Sequence, residues 1–185
     1  MRTFKVPVRE DLSEDNKVIF DGITKRVGFM PNLYAAFFWT ETGLSDYLTL
    51  QNRKSTLTAK EKEVIYLVVS QLNDCKYCVP AHTAVSKRLG LTDDQILQMR
   101  RADILFDDRL DILGKFVKEI IINKGRPSEA STTAFFKAGF NEANLVDVII
   151  TIGDKIMANY LHNIIQVPVD FPPVPDIQEV EITTQ

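Results

Sequence analysis

The sequence predicts an all-α protein, a bundle of about eight helices built around a buried helical hairpin. Three observations lead there. No segment sustains the period-two alternation of a half-buried strand. Apolar residues recur instead at helical spacing, and helix start and stop signals punctuate the chain at short intervals. Of 185 residues, 45% are apolar and 25% charged, the balance of an ordinary globular protein able to bury a core. That length suits a single domain over residues 1–185, with extended arms at about 1–12 and 167–185.

The elements follow in order. A first helix over about 13–27 places Val18, Ile19, Ile23 and Val27 on one stripe, and Gly28 ends it as a C-terminal cap. Met30-Pro31-Asn32 restarts the chain into a short helix whose Tyr34, Phe37, Phe38 and Trp39 read as core or subunit interface. A third helix is expected over about 41–54. Thr58 with Glu61 forms a capping box, and the helix it opens runs to about Leu72, apolar on most sides and therefore buried among others. Asn73-Asp74 breaks it, and a helix over about 75–89 follows, stopped by Gly90. A second box at Thr92 and Gln95 opens a short helix to about Arg101, whose charged end (Arg100, Arg101, Asp103) reads as solvated. A long helix over about 107–124 ends at Gly125-Arg126-Pro127, another reaches about Ala138, and the last spans about 142–165. The tail Val167-Pro168-Val169-Asp170-Phe171-Pro172-Pro173-Val174-Pro175 is too proline-rich for helix. It reads as an extended arm with apolar teeth, and a neighbouring subunit is the expected place for them.

Several classes are excluded at this stage. A net charge of −3 offers no basic field, so neither nucleic acid nor an anionic membrane is an expected partner. The apolar runs are far too short to span a bilayer, and the first residues lack the apolar core of a signal peptide, so a cytoplasmic location is expected. Thiols there are reduced at rest, and two cysteines at close spacing point to redox or metal chemistry rather than a staple.

Both cysteines lie in Cys75-Lys76-Tyr77-Cys78, four residues before His82 and twelve after Glu63. In a helix starting near Cys75, the spacings of three and four put Cys75, Cys78 and His82 on one face, with Cys75 at the positive end of the dipole. In an antiparallel hairpin turning at Asp74, Glu63 lies about 16 Å from the turn, His82 about 12 Å and Cys78 about 6 Å, at 1.5 Å rise per residue. His82 is thus nearly level with Glu63 and lies between it and Cys78, an order that suits a carboxylate–imidazole–thiol relay. A thiolate that attacks an O–O bond becomes a sulfenic acid, and a second thiol in disulfide reach resolves it.

Glu63, eleven residues, Cys75-x-Tyr77-Cys78, three residues and His82 resembles the core of the alkyl hydroperoxidase D-like (AhpD-like) family, which includes the carboxymuconolactone decarboxylases. Gly28-Phe29-Met30-Pro31-Asn32-Leu33, Leu57-Thr58 with Glu61 and Glu63, Asn159-Tyr160 and Asp170-Phe171-Pro172-Pro173-Val174 resemble its peroxidase-related branch, so the likeness covers roughly residues 15–175. The resemblance implies an all-helical fold, thiol-dependent reduction of alkyl hydroperoxides, and a homo-oligomer (dimer, trimer or hexamer). It also implies a thiol/disulfide protein reductant, thioredoxin-like or lipoyl-bearing, and no cofactor. It casts Cys78 as peroxidatic, Cys75 as the more exposed resolving thiol, and Glu63 with His82 as the relay. One departure stands out: the best-studied members carry a second histidine between the cysteines, where this chain has Tyr77, which is no base near neutral pH. Tyr77 is read as packing or a gate over the sulfurs.

Other readings stay open beside this one. The cysteines could be inert core residues. Cys75, Cys78, His82 and Glu63 could instead hold a structural zinc in an interaction protein. A decarboxylase or lyase on the same fold is a third, although that branch generally lacks the cysteine pair. His162, with no second ligand in view, reads as structural.

Overall fold

The computed structural model describes residues 4–177, which form nine α-helices and no strand among them. The helices are α1 (Glu14–Val27), α2 (Asn32–Ala36), α3 (Gly43–Gln51), α4 (Ala59–Leu72), α5 (Cys78–Arg88), α6 (Asp93–Arg101), α7 (Asp108–Ile122), α8 (Glu129–Lys137) and α9 (Glu142–Ile165). The all-α expectation holds. The expected arms reach beyond these residues at both ends, so their outermost parts lie outside what is described.

Local chemistry accounts for the boundaries. Ser13 accepts the Asn16 amide at the start of α1, and Gly28, at φ 99°, ends it in a conformation that costs glycine nothing. Complete capping boxes open α4 (Thr58, Glu61), α6 (Thr92, Gln95) and α9 (Asn141, Asn144). Helix α3 is shorter than expected, because residues 41 and 42 form a turn before it.

Helix α4 is the axis of the bundle, packed against α5, α6, α7 and α9. Val64, Ile65, Leu67, Val68 and Val69 are all at most 1% exposed, which is why its sequence is apolar almost all round. On one side it joins an apolar core with Met99, Leu113, Phe116, Val117, Phe135 and Val148. A second cluster gathers Ile23, Leu33, Leu44 and Tyr47 from the first three helices, and Phe38 between α2 and α3, around the two cysteines and the end of α9.

Two expectations are corrected here. The cysteine helix starts at Cys78, not Cys75. Asp74, at φ 49°, closes α4 in a left-handed turn with the Cys75 amide on the Ser70 carbonyl at 3.0 Å. Pro80 has no amide to return to Lys76, so regular helix begins only after that turn. The second correction concerns the C-terminal arm, which buries some of its teeth within its own chain while Val169 stays 43% exposed. Val167 is 3% exposed in its own chain, and Phe171 packs edge-on to Tyr77 and Phe29 at 5.5 Å each.

Candidate active site

Antiparallel packing of α4 and α5 brings Glu63 and His82 together as the height estimate requires. His82 Nδ1 lies 2.9 Å from Glu63 Oε2, and the Ser86 hydroxyl donates to the same oxygen at 3.4 Å. Glu63 is 5% exposed, which answers the question its sequence neighbours left open. Cys75 and Cys78 are joined as a disulfide, with Cα atoms 5.3 Å apart, comfortably inside the range such a bond spans. Both are buried, so Cys75 is not the more exposed of the two. Because α5 begins at Cys78, that residue rather than Cys75 occupies the first helical position, and its amide donates to Cys75 Sγ at 3.2 Å.

The sequence reading missed the far end of this network. Lys155, on α9 and 3% exposed, places Nζ 2.7 Å from His82 Nε2. Neither ring nitrogen is therefore free: Nδ1 faces a carboxylate and Nε2 an amine. An N···N hydrogen bond needs a proton on one side only, so this contact disfavours an imidazolium facing an ammonium. Burial pushes the His82 pKa down, the Lys155 charge adds to that, and Glu63 opposes both. Burial likewise lowers the Lys155 ammonium. Tyr66 lies against both, its ring 4.6 Å from the His82 ring and 4.7 Å beneath Lys155 Nζ. Its hydroxyl donates to Asp154 at 2.7 Å, and burial beside that carboxylate raises its pKa far above normal. The signal for these groups was present in the sequence, since Asp154-Lys155 interrupts the mostly apolar stretch of α9 from Val148 to Met157.

Tyr77 is a bolt rather than a gate. It is 3% exposed; its hydroxyl donates to Asp170 at 2.6 Å and accepts the Leu33 amide at 3.3 Å. Asp170 also accepts the Asn32 amide at 2.6 Å, so the C-terminal arm is fastened to the residue between the two cysteines. His162 is structural as expected, with Nε2 3.3 Å from the Val167 carbonyl oxygen. Arg100, read as solvated, is 7% exposed. With Cys75 and the arm it lines a pocket of about 340 Å³. Among the described residues no three His, Cys, Asp or Glu side chains are placed to hold a metal ion.

Residues 29–108 match the carboxymuconolactone decarboxylase family. The family resemblance read from the sequence holds. That stretch runs from the first loop to the start of α7 and contains Glu63, both cysteines and His82. No curated protein matches the sequence. Among solved structures, the chain is similar to an uncharacterized peroxidase-related protein from Silicibacter sp., at TM-score 0.79 and 21% identity over 93% of this chain and 91% of the other. An alkylhydroperoxidase AhpD core protein from Ralstonia eutropha, also described as uncharacterized and peroxidase-related, gives TM-score 0.79 and 19% identity over 92% and 91%. The debrominase Bmp8, crystallised as a cysteine-to-alanine variant with 2,3,4-tribromopyrrole, gives TM-score 0.76 and 12% identity over 92% and 93%. At these identities the likenesses establish an AhpD-like fold. Among the described residues no helix is long and apolar enough to cross a membrane.

Proposed function

We propose that the protein is a thiol-dependent peroxidase that reduces organic hydroperoxides through the Cys75–Cys78 pair. One observation carries this reading: a disulfide closed across the start of α5 on the helix whose His82 is bonded at 2.9 Å to a buried glutamate. The family match and the peroxidase-related neighbours support the same class of chemistry. In the reduced protein the Cys78 thiolate attacks the distal oxygen, the O–O bond breaks, and the alkoxide leaves as an alcohol after taking a proton. The Cys78 sulfenic acid then condenses with the Cys75 thiol, forming the disulfide and releasing water. Glu63 and His82 move the protons, and Lys155 completes their chain.

Thiol titration before and after one equivalent of cumene hydroperoxide, with the bond mapped by mass spectrometry, tests this. Two thiols should disappear into one Cys75–Cys78 disulfide. Cys78→Ser should abolish turnover, and Cys75→Ser should allow a single oxidation that is not recycled. A double cysteine variant as active as the parent defeats the mechanism. Activity indifferent to thiol alkylation points to a decarboxylase or lyase instead, and stoichiometric zinc in the purified protein points to a metal-binding hairpin.

Self-association also belongs to this proposal, on a different footing from the arm. Val146, Ile149, Met157, Tyr160 and Ile164 are exposed along one side of α9 at helical spacing. A second copy of the chain is the proposed cover, and a monomeric mass by light scattering refutes it.

A further inference from the structure

The two sulfurs face different surroundings. Cys78 and His82 are four residues apart on α5, on the side of the buried proton network. Cys75 lines the 340 Å³ pocket, a volume typical of small-ligand sites. The pocket walls are apolar: Val79 and Pro80 from α5, and Val169, Phe171, Pro173 and Val174 from the arm. Four charged residues also line it. Two of them sit at the exposed rim with a lysine between, Lys76 Nζ lying 2.8 Å from Asp74 and 3.8 Å from Asp176.

Arg100 is the exception. It is 7% exposed, with Nε donating to Gln71 Oε1 at 3.0 Å and Nη1 to the Pro175 carbonyl at 2.9 Å. No carboxylate among the described residues pairs with it; the nearby Asp176 pairs with Lys76 instead. The charge of Asp176 acts on this guanidinium, but its hydrogen bonds go only to neutral oxygens, so it can still take an anion directly.

We propose that this pocket binds a small carboxylate-bearing thiol, the carboxylate on Arg100, and that its thiolate reduces the disulfide by attacking Cys75 Sγ. The inference rests on the dithiol cycle above and names its reductant. Attack forms a bond between the incoming sulfur and Cys75 and breaks the Cys75–Cys78 bond, and the electron pair leaves on Cys78. The new Cys78 thiolate takes a proton from the His82–Lys155 pair. A second thiol then attacks the mixed disulfide, releasing Cys75 as a thiol and carrying away the two-electron oxidation as the small-molecule disulfide.

The test follows reduction of the disulfide directly, without peroxide, by alkylation and mass spectrometry. The probes are mercaptopropionate and its neutral amide, compared per thiolate. Mercaptopropionate should be faster by about tenfold in the parent protein. Arg100→Gln should bring that ratio close to one with little change in the amide rate, and Arg100→Lys should restore part of it. A ratio near one in the parent, or one that survives Arg100→Gln, overturns the proposal. If Arg100→Gln does not fold, competition in the parent decides: butyrate should slow both thiols and butyramide neither, and equal effects of the two overturn it. If Arg100→Gln instead slows only oxidation by carboxylate-bearing hydroperoxides, the pocket serves the oxidant and the reductant assignment is wrong. Peroxide consumption is measured separately, so failure of the peroxidase reading leaves its own mark.

Discussion

Two buried aspartates lie seven residues apart on α9, and they are treated in opposite ways. Asp147 is saturated: it accepts from the Arg53 guanidinium, from the Ser55 and Thr56 hydroxyls at 3.0 and 2.8 Å, and from the Thr56 amide. Those donors outweigh the cost of its burial and hold its carboxyl far below the usual carboxylate range. Asp154 receives one hydroxyl, from Tyr66, while its other oxygen is buried without a partner. Next to it, Lys155 Nζ lies 2.7 Å from His82 Nε2. The first arrangement is a closed knot tying the segment before α4 to α9. The second leaves charge and hydrogen-bonding capacity unfinished around His82, four residues along α5 from Cys78, which is expected where protons must move.

Breaking either one separates their roles. The largest effect is expected from Glu63→Gln, which keeps the size of the side chain but removes the base behind His82. Hydroperoxide turnover should fall by about 10²-fold or more while the unfolding midpoint barely moves. A variant within threefold of the parent removes Glu63 from the chemistry.

Asp147→Ala should do the reverse. Losing four donors' common acceptor costs about 3 kcal/mol in urea unfolding, with turnover per folded molecule retained. The pH dependence has a defined sign. A carboxylate with a lowered folded pKa stabilises above its unfolded value near 4, and the stabilisation is lost as pH falls below that. The parent should therefore lose stability in that acid window more steeply than the variant, and parallel curves contradict the assignment.

Tyr66→Phe strips Asp154 of its one donor, at a cost of about 1–2 kcal/mol. No change in stability shows that this hydrogen bond adds nothing net to the fold.

The smallest effect is a shift rather than a loss. Lys155→Met removes a charge that lowers the His82 pKa, so the imidazole should titrate at higher pH by NMR, with burial still holding it below normal. Because its folded pKa is depressed, His82 contributes stability above the ordinary histidine range that is lost as pH falls through it, and the variant should lose less. An unmoved imidazole breaks the proposed link.

The hairpin was legible in the sequence because two rules converge on it. The Thr58 box sets where α4 begins, Asp74 sets where it turns, and a constant rise per residue then levels Glu63 with His82. The exact start of α5 was less legible, since a proline at the third position obscures where regular hydrogen bonding resumes. Lys155 and Arg100 were not found. A charged residue near an apolar stretch reads equally well as solvated, and only the third dimension shows that α9 turns Lys155 onto an imidazole and that the arm covers Arg100. Of the two roles read for Tyr77, packing fits its burial, but its hydrogen-bond partner was not legible, because Asp170 lies 93 residues away.

The cysteine bond closes a ring over a sequence separation of only three residues. Loop-closure entropy assigns such a ring about 2 kcal/mol, against about 3 for a fifteen-residue loop. The turn is also held without it, through the Cys75 amide on Ser70 and the Val79 amide on the Cys75 carbonyl. Opening the bond therefore releases less chain disorder than opening a longer loop would. The reduced protein should melt about 4–8 °C below the oxidised one, and calorimetry on the two forms measures that difference directly.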